Sequence, residues 1–163
     1  MVERTFVMVK SDGVKRGLIG EILQRFEKVG LKIVGAKLIW VDKDFSKKHY
    51  EEHVDKPFYK GLEDYLTSGP VFAFVLEGIG AVSLVRKIVG KTEPASSEPG
   101  TIRGDYSHIS YSYADAEPGR AIMNLIHASS SIEDAKKEIH LWFSDSELYE
   151  YETVHEKLVK GHL

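Results

Sequence analysis

The chain has 163 residues, 42% of them apolar and 29% charged, with a formal charge of −3. That length suits one domain with a sizeable core, and the mild acidity excludes a global attraction to nucleic acid or anionic lipid, so any cationic site must be local. The absence of cysteine excludes disulfides and thiolate metal sites and points to a cytoplasmic, reducing compartment. No apolar stretch approaches a membrane span, no signal peptide is read at the N-terminus, and neither an internal repeat nor a disordered tail is expected.

Residues 4–9 read as a short strand, broken by turn chemistry at Lys10-Ser-Asp-Gly13. Ile19, Ile22, Leu23 and Phe26 recur at helical spacing, and Gly30 ends that helix. Residues 31–41 read as a second strand. Asp42 or Asp44 caps the next helix, which is expected to carry His49, Tyr50 and His53. Pro57 separates it from a helical stretch over residues 59–67. After the turn Ser68-Gly-Pro70, residues 71–76 form a continuous apolar strand, predicted to be central. Ala81, Leu84, Val85 and Ile88 give another helical face. Residues 91–100 are a loop rich in Pro, Ser and Glu, and residues 106–119 alternate Tyr with Ser. A short apolar run, 122–126, leads into His127. Ser130 with Glu133 three residues on reads as a capping box, and Ile132, Ala135 and Ile139 mark the inner face of the helix it starts. Residues 146–159 read as a last helix or an extended tail. Strands alternating with helices argue for an α/β or α+β sandwich, helices covering a sheet.

The chemistry centres on His127. A histidine where an apolar run meets a helix can be exposed and held in one orientation, as a base or nucleophile requires; the plainer reading is a satisfied structural residue. A phosphate-carrying histidine needs one nucleophilic nitrogen and an acceptor for the other, and Glu138 on the following helix is a candidate acceptor. Lys10 follows a strand, and Arg103 sits in a Gly-flanked turn that would let an anion approach the backbone. Arg86 lies on the outer part of its helix. No Walker loop and no kinase Gly-rich loop is present. His49-Tyr-Glu-Glu-His53 fits the inverted zinc-protease pattern, but so short a pattern arises readily by chance, and a partly exposed helix face accounts for it better.

Taken together, Lys10-Ser-Asp-Gly-Val14, His49-Tyr50, Lys56-Pro-Phe58, Ser68-Gly-Pro70, Pro99-Gly-Thr-Ile-Arg-Gly-Asp105, Asn124-Leu-Ile-His-Ala-Ser129 and the segment from Glu138 to Phe143 closely resemble nucleoside diphosphate kinases, in order from about residue 3 to about residue 150. The resemblance implies an α+β, ferredoxin-like βαββαβ sandwich with a four-stranded antiparallel sheet covered by helices, as one domain over 1–163. It implies a ping-pong reaction in which a nucleoside triphosphate, usually ATP, phosphorylates Nδ1 of His127 and a nucleoside diphosphate then takes the phosphate. Carried over by position, Glu138 holds the other ring nitrogen, supported by Ser129. Lys10, Tyr50, Arg86, Thr92 and Arg103 match phosphate ligands, Lys10 and Asn124 match ribose contacts, and Phe58 matches the base-stacking aromatic, with Leu62 beside it. The resemblance also implies Mg²⁺ held mainly by the substrate phosphates, with no dedicated protein ligands. The expected assembly is a homo-hexamer, a tetramer being the alternative, with Pro94 matching a proline used at subunit contacts.

The chain departs from the family pattern in three places. Ser130 stands where Asp is usual, removing a charge near His127. Ser11 stands where Pro is usual, which predicts a less rigid turn. Residues 106–121 form an insertion, expected to make a hairpin or flap near the cleft. Two rival readings follow: a weakly active or inactive nucleotide-binding relative, and a ferredoxin-like nucleic-acid binder. Retention of the motif residues weighs against the first, and the lack of a basic aromatic face against the second.

Overall fold

Strand β1 (Val2–Val9) divides the interior in two. Its alternate residues face opposite sides, as the period of a strand demands: Val7 and Val9 enter one core, Phe6 and Met8 the other, and all four are fully buried. The computed structural model describes residues 1–160; the end of the expected ordered tail, 161–163, lies outside the described residues. After β1 come α1 (Ser11–Lys15), α2 (Ile19–Glu27), β2 (Lys32–Ile39), α3 (Lys43–His49), α4 (Tyr59–Thr67), β3 (Val71–Ile79) and α5 (Ala81–Val89). Short helices α6 (Ile102–Tyr106) and α7 (Tyr111–Asp115) precede β4 (Ile126–Ala128), α8 (Ile132–Trp142) and α9 (Val154–Lys160).

The sheet order is β2-β3-β1-β4 with every pairing antiparallel, the ferredoxin-like arrangement, and β3 is interior as its unbroken apolar run predicts. On one face, Ile22 and Phe26 of α2 and Val85 and Val89 of α5 pack on Val7, Val9, Phe74 and Leu76. On the other, Leu66 of α4 and Ile139 and Trp142 of α8 meet Phe6, Met8, Ala73 and Val75. Two apolar layers therefore clamp β1, and β1 in turn pairs with the strand that bears His127: Met8 lies opposite His127.

Several local expectations change. The turn after Lys10 is the short helix α1, and Ser11 is anchored within it: its buried hydroxyl donates to Tyr65 O (2.9 Å) and meets Ser68 Oγ (2.8 Å). Helix α3 ends at His49, and Glu51–His53 form a separate 3-10 turn, so His49 and His53 do not share a helix face. Helix α8 is capped by Ser131 rather than Ser130, because Ser131 has the extended backbone a cap needs and accepts from Asp134 N (3.0 Å). Ile132 is consequently exposed, and Trp142 joins Ala135 and Ile139 on the buried face. The C-terminal stretch is both tail and helix: Tyr149 N bonds Val34 O (2.7 Å) along β2 before α9 begins. Residues 106–121, where a hairpin or flap is expected, form the end of α6, α7 and a following turn, with no strand pair.

Candidate active site

β4 is three residues long and begins from a strained residue. Leu125 has φ of +68°, and Ile126 N bonds back to Asn124 O (2.8 Å), closing a tight left-handed turn. That turn directs the carbonyls of Asn124 and Ile126 toward Arg103, whose Nε and Nη2 donate to them at 3.1 and 2.6 Å. Arg103 Nη1 also donates to Gly90 O and Lys91 O. Arg103 is thus buried in the first turn of α6, not poised in a glycine turn. Gly104 is required because a Cβ there would come within 2.2 Å of Glu98 O. Burial and the charge of Arg86 push the guanidinium down to about 10, so it stays cationic at neutral pH. Of its five N–H groups, one remains for a ligand.

His127 lies on β4, half-buried. Its Nε2–H donates to Glu138 Oε1 at 2.7 Å, since a carboxylate can only accept, which leaves the lone pair on Nδ1. Ser129 Oγ donates to the other oxygen, Glu138 Oε2, at 2.5 Å. Phe6 and His49 pack against the His127 ring, with centroids 5.8 and 4.9 Å away. The expected loss of charge beside the histidine is compensated: the Ser130 hydroxyl donates to the carboxylate of Asp134, one helical turn on, and Asp134 lines the cleft. Asp134 escaped the sequence reading; its position four residues after Ser130, on the first turn of a helix, was the available signal.

Lys10 is buried, with Nζ 2.8 Å from Asn124 Oδ1 and 4.9 Å over the Tyr65 ring. Burial, then the nearby Arg103, pushes its ammonium down to about 7. Asn124 Nδ2 donates to Thr92 O (2.9 Å), tying this floor to the loop after α5. Arg86 reaches Ala128 O at 3.5 Å. Tyr50 is buried, its phenol held far above the usual range by burial and by Glu138, so it remains a hydroxyl donor. Phe58, half exposed, stands just before α4, and Leu62 stands on it.

Lys10, Tyr50, Phe58, Leu62, Arg86, Thr92, Arg103, Asn124, His127 and Glu138 all line one open cleft of ≈ 1250 Å³, ample for a nucleotide. Ser129 is fully buried behind it. Buried cations, an exposed ring and a lone-pair nitrogen lining one cleft suit an anionic, aromatic substrate. His49, His127 and Glu138 each bring one ligand-type atom within 4.8 Å of the others. Two imidazoles meeting edge to face and one carboxylate do not make the oxygen cage that Mg²⁺ favours. His53 instead meets Lys56 Nζ (2.8 Å), so the zinc-protease pattern brings its two histidines to different partners.

Comparison with known proteins agrees with this geometry. A family model described as nucleoside diphosphate kinase matches residues 3–148. The nucleoside diphosphate kinase of Pyrococcus furiosus is 55% identical over 150 residues, covering 92% of this chain and 88% of its own. That of Archaeoglobus fulgidus is 49% identical, covering 95% of each. Among solved structures, the Borrelia burgdorferi nucleoside-diphosphate kinase with bound vanadate and ADP, a transition state mimic, superposes with a TM-score of 0.92 at 43% identity, covering 96% of each chain. The Halobacterium salinarum nucleoside diphosphate kinase in complex with CDP gives 0.85 at 46% identity, covering 98% of this chain and 99% of its own. With motif order, fold and cleft in agreement over almost the whole length, the chain belongs to the nucleoside diphosphate kinase family.

Proposed function

We propose that Nδ1 of His127 carries the γ-phosphate of a nucleoside triphosphate, usually ATP, to a nucleoside diphosphate in two half-reactions. The observation that carries this reading is the fixed tautomer: with Nε2–H held by Glu138 at 2.7 Å, the lone pair must sit on Nδ1. In the first half-reaction that lone pair forms a bond to the γ-phosphorus while the bond from phosphorus to the β–γ bridging oxygen breaks, and the nucleoside diphosphate leaves. The ring then bears positive charge, which the Glu138 carboxylate stabilises and Ser129 steadies. In the second, a terminal oxygen of another nucleoside diphosphate takes the phosphoryl group and restores the lone pair.

Such transfer needs mainly position and positive charge. Lys10, Arg86 and the last free N–H of Arg103 supply charge, and Tyr50 and Thr92 supply neutral donors. Lys10 and Asn124 face the ribose. Phe58 stacks on the base with Leu62 beside it, a contact any base can make. Mg²⁺, held mainly by the substrate phosphates, would supply further positive charge for the transfer, and no dedicated protein ligand is assigned to it.

We assign residues 1–163 to a single domain with an insertion at 106–121, because both cores share one sheet. Assembly as a homo-hexamer, or as a tetramer, is supported by exposed Leu38 and Trp40 at and just past the edge strand β2, apolar groups that a partner would cover. Among the described residues no helix is long and apolar enough to cross a membrane; the cysteine-free composition supports the cytoplasm.

The test is to mix the protein with γ-labelled ATP and Mg²⁺, quench in base and map the label. Base-stable, acid-labile label on His127 that chases onto GDP is expected, and His127→Ala should carry none. Bound nucleotide without label would overturn the reading in favour of an inactive relative.

A further inference from the structure

The inserted segment does not lie idle on the surface. Its helix α7 presents Tyr111, Ala114 and Asp115 to the cleft, residues spaced i, i+3 and i+4 and so on one helical face. Ala114 is buried and seats the helix, while Tyr111 is 44% exposed. Both flanks of the segment are tied to cleft walls. On one side Tyr111 N donates to Glu93 Oε1 (2.8 Å) and Ala95 N to Ile109 O (3.0 Å), joining it to the loop that carries Thr92. Ser110 caps α7 by accepting from Tyr113 N (3.2 Å). On the other side the turn after α7 rests directly on α4: a Cβ on Gly61 would come within 2.1 Å of Gly119 O. The segment thus spans from the loop that carries Thr92 to α4, with Tyr111 anchored by its own N–H on Glu93.

The phosphate end has a shortage that such a residue could meet. Arg103 uses its N–H groups on four backbone carbonyls, those of Gly90, Lys91, Asn124 and Ile126. Tyr111 lines the same cleft as that guanidinium, and its own N–H is tied to Glu93, the residue after Thr92. We infer that Tyr111 is a nucleotide contact supplied by the insertion, its phenolic O–H donating to the phosphate chain beside Arg103. A phenol suits this place because it adds a donor without adding desolvated charge to a floor that already holds Arg103 and Lys10. The inference rests on reading the cleft as a nucleotide site, and it concerns binding alone; Tyr111 takes no part in the bonds that break.

The experiment compares wild type with Tyr111→Phe, which keeps the ring and the α7 packing and removes only the hydroxyl. ADP and adenosine binding are measured by calorimetry, alongside steady-state kinetics and thermal unfolding. The expected result is a roughly tenfold weaker ADP affinity and higher KM, the loss of one hydrogen bond to a charged group. Adenosine affinity, kcat and Tm should be unchanged. Unchanged ADP binding in Tyr111→Phe would overturn the inference. Equal weakening for ADP and adenosine would also overturn it, by moving the contact to the sugar or base. Because ADP binding is read without turnover, failure of this inference stays separate from failure of the phosphohistidine reading, which the labelling experiment decides.

Discussion

On the floor of the cleft, Lys10, Arg103 and Asn124 are each at most 7% exposed, and each is tied to backbone or to a neighbour. On its wall, Phe58 is 45% exposed and stands just before α4. The floor must hold charge and a nucleophile to within tenths of an ångström, so it draws on β1, β4, α6 and α8 at once. The wall carries the proposed base contact, and it offers a ring face rather than hydrogen-bonded edges, a surface on which any base can stack. Precision and tolerance are thereby kept in separate parts of one cleft.

If that division is right, the largest effect belongs to the floor. Glu138→Gln keeps the shape but removes the charge facing His127 Nε2, and kcat should fall roughly 10²- to 10³-fold, as when one preorganised electrostatic group is lost. ADP affinity should hardly change; a large loss of affinity instead would place Glu138 in binding and blur the comparison. A wall change should do the reverse. Phe58→Ala should raise KM about tenfold, the scale of one lost base–aromatic stack, and do so alike for adenine, guanine, cytosine and uracil nucleotides. A strong dependence on the base would show that the wall reads edges after all.

The smallest effect sharpens the account of Lys10. Its ammonium, lowered to about 7 by burial and Arg103, is largely charged below that pH and largely neutral above it. A polyphosphate favours the charged form, so nucleotide binding above pH 7 should take up a proton, and affinity should decline as pH rises through that value. Calorimetry of ADP binding at pH 8 in buffers of differing ionisation enthalpy should reveal uptake of up to about one proton. Lys10→Arg should abolish the buffer dependence. No buffer dependence in the wild type would mean that Lys10 keeps its proton in the free protein.

Much of this was legible beforehand, for identifiable reasons. Ile22 and Phe26, and Ala81 and Val85, obey the helical period that burial enforces, and the unbroken apolar run from Val71 marks a strand buried on both faces. His127 and Glu138 sit in motifs whose spacing survives in the fold. What escaped depends on contacts distant in sequence. Nothing local says that Arg103 will collect carbonyls from residues 90, 91, 124 and 126, or that Leu125 will adopt a positive φ. The choice of Ser131 over Ser130 as cap turns on one backbone torsion, and three adjacent serines leave it undecided from composition. The segment 106–119, with its Tyr and Ser alternation, carries a strand-like pattern that tertiary anchoring at Glu93 and Gly61 overrides.

Leu125 has one further consequence, and it concerns the order of assembly. A left-handed non-glycine residue costs about 1–3 kcal/mol and persists only where its surroundings over-determine it. The strand it opens is three residues long and, among the described residues, pairs with β1 alone. Taken by themselves, these local features disfavour the conformation that presents His127. It is stabilised from outside, by Lys10 N–H on the Leu125 carbonyl and by Arg103 on the carbonyls to either side. The nucleophile is thus a property of the completed fold: a nascent or partly unfolded chain that has lost either clamp retains the histidine but not its aim.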